Sequence, residues 1–233
     1  MRSSLPESPL NPLPPVIWLL TVPVIASEAV FALGGAGLIG GAEGVGLRLS
    51  AIRMAAFPPE LAQRAWTLGA FDLEQMYRFL SFVFIHVNAM HALFVVVFTL
   101  ALGNMVAQNF RPWAVLALYF GSAIGGALVY AVIIQAVGAR SAPLIGGYPA
   151  VYGLVGAFTF LIWTRLAAEN ANRMRAFTLI GMLLLFQLVF GLIFGGAGLG
   201  WIAEIAGFGF GFALSFVLVD GGMARALAQL RQR

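Results

Sequence analysis

Six stretches of this sequence run for close to the roughly twenty residues that a helix needs to cross the hydrocarbon of a bilayer, with almost no charge in them. They lie at 16–40, 87–107, 113–137, 148–164, 177–196 and 201–219. A backbone inside lipid must satisfy its own N–H and C=O groups, and a helix does so within one segment. The chain therefore reads as an all-α membrane protein: a polar, Pro-rich tail over 1–15, a six-helix membrane domain over 16–219, and a basic tail over 220–233. Pro23 falls inside the first span and is expected to kink it.

Composition agrees and removes other classes. Charged residues are 9% of 233 and hydrophobic ones 61%, where an ordinary soluble domain carries about a quarter charged residues. Cysteine is absent, so disulfides and thiolate metal sites are excluded; neither a metal nor a cofactor is expected. The thirteen basic residues, all arginine, give a net charge of +4. They form no stripe interleaved with aromatics, so nucleic acid is not the expected partner. The opening "MRSSLPESPLNPLPP" and the apolar stretch after it lack a small-residue cleavage site, so the first span is expected to be retained.

Arginine placement sets an orientation. With both termini in the cytoplasm, that side collects Arg2, Arg111, Arg165, Arg173, Arg175, Arg225, Arg231 and Arg233. The opposite side takes Arg48, Arg53, Arg64, Arg78 and Arg140, mostly in a long first loop at about 41–80, where Glu43, Glu60, Asp72 and Glu74 accompany them. Positive charge in short loops marks the cytoplasmic face. The first loop is itself rather apolar ("LRLSAIRMAAFPPELAQRAW") and is expected to lie on the membrane surface as short amphipathic helices.

Few polar side chains fall at membrane depth: Glu28, His86, Asn88, His91, Tyr148 and Glu204. An ionisable group there marks a functional site or a buried, paired group. The plain reading of Glu204 is a protonated or hydrogen-bonded structural acid, and of His86 and His91 a pair of satisfied buried imidazoles. Taken as helical, two residues five apart diverge by about 140°, which argues against a one-face metal pair. Glu28 has no partner that the sequence identifies. Gly121, Gly125, Gly126, Gly207, Gly209 and Gly211 make small-residue faces of the kind on which helices pack in lipid. Glu204 lies three and seven residues before Gly207 and Gly211, on their side of the helix.

The stretch "PLIGGYPAVYGLVGA" (143–157) has the form of a catalytic turn at a helix entrance, yet it holds no Ser, Cys or Thr. Together with three other groups of residues it resembles the rhomboid intramembrane serine proteases. In that family an aromatic-Arg pair precedes a His by eight residues; here Tyr77-Arg78 precede His86. The family's second helix opens H-x4-H-x3-N; here His86 and His91 keep that spacing, and Val95 stands where the Asn belongs. Its fourth helix opens G-x-S-G-x-x-[FY]-x-L-x-G, with Ser as nucleophile. This chain keeps Gly146, Tyr152, Leu154 and Gly156 but has Tyr148 at the Ser and Pro149 at the next Gly. Its sixth helix reads A-H-x-x-G-x-x-x-G, with His as base. Here Ala203, Gly207 and Gly211 remain, and Glu204 replaces the His.

The resemblance covers about residues 75–215 and implies the six-helix rhomboid bundle. It also implies that nucleophile, base and amide donor are all replaced, at Tyr148, Glu204 and Val95, while Arg78, His86, His91, Gly146, Tyr152, Gly156, Gly207 and Gly211 are retained. A phenol cannot stand in for the smaller hydroxyl, and Pro149 removes a backbone N–H beside it. The expected function is a catalytically inactive rhomboid-like protein that binds other integral membrane proteins, as the family's inactive branches, the iRhoms and derlin-like proteins, do. Two alternatives stand beside it: an enzyme using Glu204 as base with Ser141 or water as nucleophile, and a structural subunit of a larger membrane complex. The expected location is a bacterial inner membrane. If the fourth helix opens against the sixth, Tyr148 and Glu204 are expected to be neighbours and to satisfy each other.

Overall fold

The computed structural model describes residues 13–69, 72–139, 142–194 and 198–220, with backbone alone for 187–194. Its helices are α1 (Pro15–Gly35), α2 (Leu47–Ala55), α3 (Pro59–Leu68), α4 (Arg78–Ser81), α5 (Ala89–Ala107), α6 (Pro112–Val137), α7 (Tyr148–Ala168), α8 (Thr178–Phe194) and α9 (Trp201–Leu218). Short 3-10 turns lie between several of them. The described residues include no strand, only a two-residue bridge between Phe57 and Leu144. Five helices, α1, α5, α6, α7 and α9, are long and apolar enough to cross a membrane. The span expected at 177–196 corresponds to α8, 17 residues long.

Helix ends follow local chemistry. Proline opens α1 and α6, where its missing N–H costs nothing and its fixed φ suits the first turn. Asn88 caps α5, its side chain accepting from the His91 N–H at 2.8 Å. Two boundaries differ from those read in the sequence. The first span ends at Gly35 rather than 40, because Gly37 and Gly40 turn the chain through left-handed conformations. The fourth runs on to Ala168, its last turn carrying Arg165, which pairs with Glu169 at 2.9 Å. The α1 helix continues through Pro23.

The bundle is built around α7, whose residues 149–157 are all buried against α5, α6 and α9. Glycine lets the backbones touch. A Cβ on Gly211 would meet the carbonyl of Gly153, one on Gly207 the carbonyl of Pro149, and one on Gly156 the α9 backbone at Phe208 and Phe212. Lipid tails are as apolar as leucine, so such close approach, rather than exclusion of water, drives association. Beside these contacts the α1 helix packs on α5.

The first loop lies over the C-terminal half of α6. Gln63 donates to the Ala131 carbonyl (3.2 Å) and Trp66 to Gln135 (2.8 Å). Phe57 and Leu144 exchange two backbone hydrogen bonds (3.0 and 2.8 Å), and the Gly146 N–H donates to the Phe82 carbonyl at 2.9 Å. These bonds carry the loop's order to the entrance of α7.

Candidate functional site

The entrance of α7 is shaped by two glycines. Gly146 has φ +100°, open in practice only to glycine, and an added Cβ would run into the His91 ring. The N–H of Gly147, the N-cap of α7, is taken by Nε2 of His86 at 3.2 Å. On its other side an added Cβ would lie 2.7 Å from Cγ1 of Val95 and 3.2 Å from the Tyr119 hydroxyl. Val95 is 1% exposed and fills the space beside the turn.

Tyr148 follows as the first residue of α7. Its ring lies on that of His91, centroids 4.6 Å apart and planes at 21°. The His86 ring meets the edge of His91 at 5.0 Å and 88°. The inference that these two histidines diverge is therefore corrected. It placed both on one helix, but the Asn88 cap starts α5 after His86, and the extended chain before the cap brings the rings together. Among the described residues no group of three or more His, Cys, Asp or Glu is placed to hold a metal.

His86 is fully buried. Burial above all, then the neighbouring His91, pulls its pKa down to about 3. It is a neutral acceptor for the Gly147 N–H, with its proton on Nδ1.

Glu204 enters from α9, half-buried, and its carboxyl acts electrostatically on the phenols of both Tyr148 and Tyr152, one helical turn apart. The structure thus brings together Tyr148, Tyr152, Glu204, His86, His91, Val95 and Gly146. Gly156, Gly207 and Gly211 lie along the α7–α9 contact that carries this cluster. Arg78 is elsewhere: it donates to the Ala56 carbonyl at 3.4 Å, while Tyr77 donates to the Met54 carbonyl at 2.8 Å, so the pair ties α4 to the end of α2. Ser141 and Arg140 lie outside the described residues, as do the tails over 1–12 and 221–233.

Glu28, without a partner in the sequence reading, has one. Both its oxygens accept from Arg48, each at 2.7 Å, and Arg48 also donates to the His86 carbonyl at 2.8 Å. The charged residue in a span was the available signal. Nothing in the sequence pointed to Arg48, twenty residues on.

Chemically the cluster is poor in groups for acyl transfer. A hydroxyl nucleophile needs a base within hydrogen-bond reach. Stacking puts the face of Tyr148, not its hydroxyl, on His91, and His86 is already spent on a backbone N–H. The family model for the Rhomboid domain matches residues 73–221, from before α4 to beyond α9. A search of curated proteins found no match.

Proposed function

This chain belongs to the rhomboid family, and we propose that it is a member without hydrolytic activity that uses the fold to bind other integral membrane proteins. It is an integral membrane protein of the intramembrane-protease type. The observation that carries the inactive reading is the Tyr148–His91 stack at the entrance of α7. A large ring sits where the resemblance implies a small nucleophile, and the nearest imidazole is covered by it. Val95 offers no donor to a developing oxyanion, a loss worth roughly 3 to 4 kcal/mol of barrier for one such donor in other acyl-transfer enzymes. Glu204 retains a proton-accepting group, but the described site holds no serine, threonine or cysteine for it to activate.

Binding is supported by what remains once chemistry is removed: a rigid glycine-packed bundle with long apolar faces toward lipid, among them Met90, Leu93, Phe94 and Val97 on α5. The setting we propose is a bacterial inner membrane with both termini cytoplasmic, on the distribution of arginine. Purification from native membranes in mild detergent tests the reading. Membrane proteins recovered below stoichiometry, and exchanging on dilution, support transient clients. A fixed stoichiometric companion favours a structural subunit, and recovery of the chain alone removes both.

A further inference from the structure

Two residues upstream of the rhomboid-matched segment reach into the site. Glu28, on α1, and Arg48, on α2, pair through both arms of the guanidinium, with side chains only 15% and 25% exposed. Such a fork-to-fork pair fixes orientation as well as charge. The same Arg48 lies 4.8 Å over the Phe31 ring, and one of its arms also binds the His86 carbonyl at 2.8 Å. Two residues earlier, Ser27 donates to the Phe84 carbonyl at 3.0 Å. The segment 84–86 is thereby held by its carbonyls from α1 and α2. It is held at its other end by the His86 ring, which accepts the Gly147 N–H. Glu28 is also among the charges that act on His91.

Taking an ion pair out of water is expensive, and apolar side chains could join α1 to α2 without that penalty. What an apolar contact could not do is bind a carbonyl. We propose that Glu28 and Arg48 form a positioning clamp that fixes His86, and through it the entrance of α7, from outside the rhomboid segment. The clamp acts whether or not the site performs chemistry. The carboxylate holds the guanidinium in plane, the guanidinium holds the His86 carbonyl, and the fixed ring engages the N–H of Gly147, the N-cap of α7.

The chain has only two histidines, so nitrogen-15 NMR of labelled imidazoles in lipid nanodiscs resolves them, with His91→Gln assigning His86. The wild type is expected to show His86 as one neutral tautomer, protonated on Nδ1, unchanged between about pH 5 and 8. The double variant Glu28→Gln/Arg48→Met removes both charges together and leaves none buried unpaired. In it, the clamp predicts a mixed-tautomer His86 that titrates in that range. It also predicts a Gly147 amide that exchanges with deuterium roughly tenfold faster or more. Arg48→Lys keeps the charge but lacks the fork, and is expected to give the same changes more weakly. It decides the matter if the double variant does not fold. A folded variant of either kind with wild-type His86 signals and wild-type Gly147 exchange would overturn the proposal and leave the pair a simple α1–α2 tie.

Discussion

The two halves of this molecule are held together by different physics. On one side, α6, α7 and α9 meet through glycines, backbone against backbone. On the other, α1 packs on α5, and hydrogen bonds to carbonyls tie α1 and the first loop to the segments beside them, with one ion pair joining α1 to α2. Dispersion between close-packed backbones needs exact shape, so the first half should tolerate changes of charge and reject changes of size. Directed bonds in a partly wet region need exact chemistry, so the second should do the reverse. The candidate site lies on the seam. Tyr148 and Glu204 come from the first half, His86 from the second, and His91 from α5 between them.

The comparison is broken most directly by size. Gly211→Leu would drive a side chain into the Gly153 carbonyl. It is expected to destabilise by about 3 kcal/mol or more, at the upper end for overpacking, read as loss of folded protein in a reversible SDS titration. A near-wild-type midpoint would mean that α7 and α9 can separate. Charge comes next. Arg48→Met leaves Glu28 unpaired, and because both side chains keep some solvent contact the expected loss is about 2 to 3 kcal/mol, below that of fully buried pairs. If the second half responds to charge rather than to size, Glu28→Gln in the same background should recover part of that loss.

His86 gives the second half a pH dependence. Its folded pKa, about 3, lies below the ordinary histidine value of about 6.5, so the unfolded chain binds more protons between those values. Stability is then constant above about pH 6.5 and falls as pH is lowered toward 3, by at most about 1.4 kcal/mol per unit. Unfolding midpoints measured from pH 7 to 4.5 should show the decline, and His86→Gln should flatten it. Tyr148→Phe is expected to cost less, about 1 kcal/mol, since the stack on His91 survives and only the hydroxyl is lost. Smallest of all, Arg165→Gln breaks an exposed pair one helical turn long and should shift stability by no more than about 0.5 kcal/mol.

How much of this was legible in the sequence follows the same division. Lipid allows so few solutions that the apolar stretches located α1, α5, α6, α7 and α9 almost to the residue, missing only where glycine ended α1 early and where Arg165 let α7 run on. Spacing alone put Tyr148 at the opening of one helix and Glu204 one turn into another. The polar half was opaque because its bonds join residues far apart in the chain, to backbone carbonyls that any residue carries. Arg48 to His86 spans 38 positions, and no periodicity marks it. A helical His86 would stand apart from His91; Asn88, a capping residue, starts α5 after His86 and leaves the two rings together.

The central claim is that the site at the entrance of α7 does no hydrolysis. The purified protein in liposomes, given a generic transmembrane rhomboid substrate and a serine-directed phosphonate, is predicted to yield neither cleavage products above protein-free vesicles nor a labelled chain. Cleavage or specific labelling that disappears on Ser141→Ala would contradict it and establish an enzyme with a nucleophile outside the described site.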